Sequence, residues 1–269
     1  MNSLFSEITG PQENCIHDVM HLAVDIGQVI LESGGETYRV EEAITIVCRS
    51  YGFPDTQAYV VPTGIMATVI DSAGKPTSVI RRIRSRSTHF ERLGQMNELT
   101  FHVRTKNWTL EKVREELQAI LQKKPRHAAV MAISAGMMTG FFALFFGGKP
   151  LDFLPAFFVG ATSKLLVAYF NKVRINDFFA NIVCGSYIVL QSHLIALLAP
   201  QVLHGDKIAT GSIMLLVPGL AITIAVRDSI AGDLVAGVAR AIEASLIAAG
   251  IAFGAGIALQ ILLVMGVRA

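Results

Sequence analysis

The chain has 269 residues, of which 52% are hydrophobic and 16% are charged, and its mean hydropathy is +0.50. This composition excludes an ordinary soluble protein. The formal net charge of +2 predicts no nucleic-acid partner. The three cysteines, Cys15, Cys48 and Cys184, are scattered and predict neither a disulfide framework nor a zinc site.

Charged residues are concentrated in the first half of the chain, where 30 of the 44 Lys, Arg, Asp and Glu residues precede Ala128. The sequence therefore predicts two domains, a soluble one over residues 1–126 and a membrane one over residues 127–269. The basic run at residues 123–126 forms the boundary. Residues 1–10 lack the charged-then-apolar pattern of a cleaved signal peptide.

The first domain alternates helical and extended patterns, which predicts a small α+β fold. Apolar spacing predicts helices over Glu13–Glu32 and Glu36–Ser50, separated by the Ser-Gly-Gly run at 33–35. Three β-type runs follow, at residues 58–61, 66–70 and 77–83. Two further helices are predicted over Thr88–Arg104 and Thr109–Gln122, with Thr109 as the N-cap of the second.

Five apolar stretches make up the rest of the chain and predict an α-helical polytopic membrane domain of five spans. They cover residues 128–146, 151–170, 178–199, 208–226 and 234–265. Each is close to the roughly 20 residues that cross a hydrocarbon core of about 30 Å.

Basic residues near the ends of these stretches predict the orientation in the cell (inner) membrane. One side would carry Lys123, Lys124, Arg126, Lys172, Arg174 and Arg227. The other would carry Lys149, Lys207 and Arg268. The richer side is expected in the cytoplasm, which places the N-terminal domain there and the C-terminus outside.

The fourth stretch contains a Pro-Gly pair, Pro218-Gly219, which predicts a helix break near the middle of the membrane because proline lacks an N–H. Transporters use the backbone groups freed by such breaks to hold substrate. A simple kink packed against neighbouring helices is the alternative. Asp228 and Asp233 follow the break and are candidates for cation or proton coupling.

Ionisable residues within the apolar stretches are a second candidate site, because a charge in the bilayer usually faces a partner or a water-filled cavity. Lys164 and Arg240 could contact a substrate carboxylate, although Lys164 could also extend to the interface. Arg240 and Glu243 are three residues apart and could neutralise each other. His193 could carry a proton or be structural.

Several weaker patterns have plain structural interpretations. The pairs Gly136/Gly140 and Gly250/Gly254 predict close helix packing. His17 and His21 share a helix face without a third ligand, so no metal and no cofactor are predicted. The alternating arginines could bind anionic headgroups or form a solvated strand face; they are Arg81, Arg82, Arg84 and Arg86.

Two long motifs resemble those of a known family. Residues 31–41, Leu-Glu-Ser-Gly-Gly-Glu-Thr-Tyr-Arg-Val-Glu, are similar to the N-terminal signature S-G-A-E-T-x-R-V-E of the threonine/serine exporter (ThrE) family, with Gly35 at the usual Ala position. Its membrane signature resembles the Val-Pro-Gly run at 217–219, Arg227-Asp228 and Gly232-Asp233. The residues implied for the N-terminal signature are Ser33, Gly34, Glu36, Thr37, Arg39 and Glu41.

The resemblance implies the soluble-domain-bearing first component of a split, two-component exporter. It further implies gradient-driven export of threonine and serine or of small dicarboxylates such as succinate, with a five-span partner subunit or a homo-oligomer. From the residues themselves, Ser33 to Thr37 can cap and start a helix, while gating against the membrane domain is the sharper hypothesis. A regulatory or scaffolding subunit and a membrane-anchored hydrolase remain alternatives.

Overall fold

A computed structural model describes residues 11–123 and 127–267, with side chains from Ile16 onward. Within these residues the chain forms two compact units. The first comprises the described part of Met1–Lys124 together with Ile224–Arg240. The second comprises the described parts of Pro125–Thr223 and Ala241–Ala269. The predicted boundary run and Arg268 lie largely outside the described residues, so the boundary at 126 stays a prediction.

The first unit contains the predicted α+β elements, and each is confirmed to within a few residues. They are α1 (Pro11–Glu32), α2 (Thr37–Ser50), β1 (Thr56–Val61), β2 (Gly64–Ile70), β3 (Pro76–Arg82), α3 (Phe90–Lys106) and α4 (Leu110–Gln122). Thr109 caps α4 as predicted, since its side-chain oxygen accepts the Lys112 amide at 3.4 Å.

The sheet is an antiparallel meander in the order β1-β2-β3. Val61 pairs with Gly64 across the first hairpin, and Gly64 pairs in turn with Arg82 of β3. Alternate residues of β1 and β2 face the core, as the period of two requires; they include Val60, Ile65, Ala67 and Val69. This face packs with the apolar stripes of α1 and α2 to form the core of the unit.

The remaining helices are apolar and mostly long. They are α5 (Ala128–Phe145), α6 (Phe153–Val173), α7 (Asp177–Ala196), α8 (Gly205–Ile213), α9 (Gly219–Ile230) and α10 (Leu234–Val264), with a 3-10 turn at Pro150–Asp152 before α6. In the described part of the chain, 4 helical segments are long and apolar enough to cross a membrane: Ala128–Phe145, Pro150–Val173, Asp177–Ala196 and Leu234–Val264.

The predicted break at Pro218-Gly219 is present in the fourth apolar stretch, residues 208–226, and the predicted count of five spans is not confirmed. The structure divides this stretch between α8, of 9 residues, and α9, of 12 residues, separated by residues 214–218. Neither helix alone reaches the roughly 20 residues of a membrane crossing. The physical reason is Pro218, which cannot donate to the helical ladder and disfavours helical geometry at the residue before it.

The glycine pairs bring helix backbones close together in the second unit, as predicted. A Cβ added at Gly136 of α5 would lie 2.7 Å from the Phe157 carbonyl oxygen of α6. A Cβ at Gly250 of α10 would lie 2.9 Å from the Phe178 carbonyl oxygen of α7. Small residues at these contacts let apolar helices associate where lipid removes the hydrophobic driving force.

Candidate functional site

Glu36 lies at the N-cap position of α2 and is the centre of a group of ion pairs. The helix starts within Ser33 to Thr37, as predicted, and the Glu36 side chain makes no capping hydrogen bond. Instead, one oxygen accepts Arg227 Nη1 at 2.6 Å and the other lies 2.9 Å from Arg39 Nε. Glu36 is only 9% exposed, which strengthens these charge-assisted bonds.

The residues next to Glu36 extend the same contacts. The Tyr38 hydroxyl accepts hydrogen bonds from Arg227 Nη2 at 2.7 Å and from Arg39 Nε at 3.2 Å. The Thr37 hydroxyl, which is fully buried, donates to Asp233 at 2.9 Å. The first turn of α2 is thereby bound to residues almost 200 positions later in the chain.

Asp228 and Arg240 form a buried ion pair beside this turn. Asp228 Oδ2 lies 3.0 Å from Arg240 Nε, and the two side chains are 0% and 7% exposed. Neither Asp228 oxygen has an aligned hydrogen-bond donor within the described residues. Burial raises the pKa of the Asp228 carboxyl, while the Arg240 guanidinium opposes this shift. Arg240 Nη2 also donates to the Gly35 carbonyl at 2.9 Å.

The turn between α9 and α10 positions the C-terminal members of this group. Gly232 has a φ of +97°, a conformation that side-chain-bearing residues rarely adopt. The Asp233 amide donates to the Asp228 carbonyl at 2.9 Å, and the Asp233 carbonyl accepts the Gly237 amide at 2.9 Å. The turn thus starts α10. The Asp228 carboxylate pairs with Arg240, and the Asp233 carboxylate accepts the Thr37 hydroxyl.

These contacts join residues of both predicted signatures into one cluster, which we call the signature network. Its members are Gly35, Glu36, Thr37, Tyr38, Arg39, Arg227, Asp228, Asp233 and Arg240. Sequence reasoning placed the two motifs separately and did not single out Tyr38. The only signal for Tyr38 was its position between the candidate residues Thr37 and Arg39.

Other predicted signature residues support the network from outside it. Gly34 has a φ of +90°, and the Ser33 carbonyl accepts the His89 amide at 3.1 Å. Glu41 lies one turn further along α2, where its carboxylate accepts the Val60 amide at 2.9 Å. Burial raises the pKa of Glu41, partly offset by that hydrogen bond. Glu41 therefore connects α2 to the sheet.

The remaining ionisable candidates lie in the second unit. Lys164 is half-buried in the middle of α6 and has no hydrogen bond or ion pair among the described residues. His193 of α7 is buried, and its Nδ1 lies 2.9 Å from the Val189 carbonyl oxygen, to which it donates. Glu243 is half-buried on α10. Lys164 is thus a half-buried charge inside α6 without a partner among the described residues.

The interrupted helix is accompanied by buried hydroxyl and amide groups. Ser212, at the end of α8, and Ser192, on α7, are fully buried, and their hydroxyls have no hydrogen-bond partner within the described residues. The same is true of the Gln191 side-chain oxygen. Buried polar groups are normally paired, so such groups beside a helix break are suited to a polar solute or water.

Sequence reasoning missed a carboxylate–imidazole pair at the start of α8. Asp152 is fully buried; its Oδ2 accepts the Lys149 amide at 2.7 Å and lies 3.0 Å from His204 Nδ1. Its Oδ1 accepts the His204 amide at 2.8 Å. Asp152 therefore fixes the turn before α6 to the N-cap of α8. An acidic residue at the edge of an apolar stretch was the signal that could have identified it.

The predicted arginine run does not form a uniform surface. Arg81 Nη2 binds Asp25 of α1 at 2.8 Å, whereas Arg82 and Arg84 are exposed. Binding of anionic headgroups by the exposed arginines stays a prediction.

The four long apolar helices define a multi-pass membrane protein, whose first unit is an α+β fold. The chain belongs to the threonine/serine exporter family, since the family model described as "Putative threonine/serine exporter" matches residues 21–262.

Two curated relatives are similar over nearly the whole chain. The "Threonine/serine exporter" of Corynebacterium glutamicum is 26% identical over 252 residues, covering 90% of this chain and 51% of that protein. The "Probable threonine/serine exporter" of Mycobacterium tuberculosis (strain ATCC 25618 / H37Rv) is 24% identical over 249 residues, covering 90% of this chain and 46% of that protein. The chain thus spans about half the length of these relatives. No solved structure gives a significant match.

Proposed function

We propose that this chain is a subunit of a secondary transporter that exports small amino acids, threonine or serine, or small dicarboxylates such as succinate, driven by an ion gradient. Membership of the exporter family supports a transport role over that of a membrane-anchored hydrolase. The observation that carries the proposal is Asp228, a buried carboxylate that is paired with Arg240 and lies on α9, the second helix of the interrupted stretch.

In this proposal the interrupted helix provides the solute site. The backbone around Pro218 and Gly219 and the buried hydroxyls of Ser192 and Ser212 would contact the polar groups of the solute. Lys164, which has no partner in the described residues, would bind its carboxylate. The earlier hypothesis gave Arg240 the same role, but a substrate would have to displace Asp228 and the Gly35 carbonyl from it.

The signature network would couple ion movement to gating of the membrane domain. Protonation of Asp228 would remove its attraction for Arg240, and the charges of Glu36 and Asp233 lie within the same cluster. A raised carboxyl pKa favours proton binding, which is what a proton-coupled step requires. Arg227 and Arg39 would hold Glu36 whether Asp228 is protonated or ionised.

A partner completes the transporter in this proposal. The chain spans 51% and 46% of the two relatives, which leaves room for a second membrane portion of similar size. We propose that a five-span membrane subunit supplies it, with a second copy of this chain as the alternative. The N-terminal domain would lie in the cytoplasm and the C-terminus outside.

A regulatory subunit is the second candidate function. All the contacts of the signature network lie within the first unit, which is what a regulator acting on transport by a partner would need. Flux of labelled serine, threonine and succinate into or out of proteoliposomes, measured for each subunit alone and for both together, separates the two. Transport by the partner alone at the full rate would favour regulation.

The decisive variant is Asp228→Asn, which we expect to abolish export while membrane insertion persists. This change also breaks the buried ion pair with Arg240, at a cost of about 3–5 kcal/mol. The double variant Asp228→Asn/Arg240→Gln removes both charges and should recover thermal stability without recovering flux. Normal flux in either variant would contradict the coupling role of Asp228.

A further inference from the structure

A cavity of about 280 Å³ lies between α2 and α3, apart from the proposed solute site. Its wall is lined by Tyr38, Arg39, Glu42, Ala43, Ile46, Asn97, Thr100, Phe101 and Arg104. This volume is at the lower end of ligand pockets, which suits a molecule of few heavy atoms. All the lining residues belong to the soluble domain.

The polar groups around this cavity are not satisfied by the protein. Glu42, Asn97 and Arg104 make no hydrogen bond or ion pair within the described part of the chain. The exceptions are Arg39, which contacts Glu36 and Tyr38, the Tyr38 hydroxyl, and the Thr100 hydroxyl, which donates to the Met96 carbonyl. The cavity therefore presents two guanidinium groups, one carboxylate and one amide at its rim.

The signs of these charges select a class of ligand. A carboxylate matches the guanidinium groups of Arg39 and Arg104, which bind it through paired N–H donors. Glu42 would attract an ammonium group and repel a second carboxylate. Ala43, Ile46 and Phe101 offer an apolar wall for a short side chain. An α-amino acid zwitterion meets all three conditions, whereas a dicarboxylate does not.

We propose that the α2–α3 cavity is a binding site for a small α-amino acid, separate from the transport path. Tyr38 and Arg39 belong to both the cavity wall and the signature network. A bound carboxylate competes with Glu36 for Arg39 and so transmits occupancy to the Arg227 contacts. This regulatory consequence rests on the proposed function, but the binding itself does not.

The test is isothermal titration calorimetry of the full-length protein in lipid nanodiscs. The titrants are L-threonine, L-lactate, which lacks the ammonium group, and succinate. We expect threonine to bind more tightly than the other two. Arg104→Gln should raise the dissociation constant for threonine about tenfold, as loss of a charge-assisted hydrogen bond does.

Glu42→Gln should raise the dissociation constant for threonine by a similar factor and leave that for lactate unchanged, because only threonine carries the ammonium group. Glu42 and Arg104 are both exposed, so both variants should fold, which thermal melting verifies. The matched controls are Arg49→Gln on α2 and Glu98→Gln on α3, which are exposed and lie outside the cavity wall.

Lys164→Gln distinguishes binding at the transport site from binding at the α2–α3 cavity, because it removes the proposed transport-site cation. Threonine binding that survives this change and falls in Arg104→Gln supports the cavity site, even where flux is absent. Threonine binding unchanged by Arg104→Gln and Glu42→Gln, or no binding at all in the wild type, overturns the proposal. Equal binding of succinate and threonine overturns the assignment to an amino acid.

Discussion

At the scale of single residues, the buried pair of Asp228 and Arg240 dominates the energetics of the signature network. Two charges taken out of water cost several kcal/mol each, and their attraction repays this only with good geometry and further hydrogen bonds. The Asp228 oxygens lack aligned donors within the described residues. The pair is therefore weak evidence for stability, which is compatible with the coupling role that we propose for Asp228.

Glu41, on α2, provides a pH-dependent test of how burial affects stability. Its pKa is raised by burial, so the folded protein binds a proton more tightly than the unfolded chain does. The ionised carboxylate therefore costs stability at neutral pH. The cost falls as the pH drops through the folded pKa, and it is absent below the unfolded value of about 4.3.

We expect Glu41→Gln to melt at a higher temperature than the wild type at pH 7.5, since Gln still accepts the Val60 amide without a charge. The difference should close on acidification towards pH 4. Melting curves across this range measure it, with the exposed Glu115→Gln as the control. A difference that grows on acidification would show that the pKa shift has the opposite sign.

At the scale of secondary-structure elements, close contacts join α10 to α7. α10 approaches α7 through glycines, and the Ser186 hydroxyl donates to the Gly254 carbonyl at 2.7 Å. A Cβ at Gly254 would collide with the Ile182 backbone, whereas Gly256, two residues later, faces open space. The same helix therefore offers a tight position and an open one.

We expect Gly254→Ala to destabilise the protein by about 1–3 kcal/mol, because the added methyl group must displace backbone atoms. Gly256→Ala should change stability by no more than about 0.5 kcal/mol. Thermal melting in one detergent compares the two variants directly. Equal stability of both variants would mean that α10 and α7 do not pack as the structure has them.

At the scale of the whole molecule, the proposed orientation is the property that most constrains function. Lys75 lies in the loop before β3 and should be cytoplasmic. Cysteine labelling can test this because burial raises the pKa of the Cys48 thiol to about 11, which keeps it unreactive near neutral pH.

In a Cys15→Ser background, we expect Lys75→Cys to react with a membrane-impermeant maleimide only after the cells are permeabilised. Gln201→Cys, exposed between α7 and α8, should react in intact cells. Labelling of residue 75 from outside intact cells, with residue 201 protected, would reverse the orientation.

The whole chain also separates what is local in the sequence from what is not. Apolar periodicity, turn residues and the Thr109 cap are local properties, and they predicted the helices and the sheet of the soluble domain. Composition and stretch length identified the four long apolar helices. Pro218 predicted a break, because the missing N–H is a property of that residue alone.

The extent of the break and the partners of the charged residues depended on the tertiary structure. Glu36 pairs with Arg227 across a separation of 191 residues, and Arg240 contacts Gly35 across 205. Three-residue spacing favoured Glu243 as a partner of Arg240, which stays a prediction, whereas the contacts of Arg240 with Asp228 and Gly35 were not visible in the spacing. Electrostatic partners are chosen by distance in space and by exclusion of water, and only the folded chain determines both.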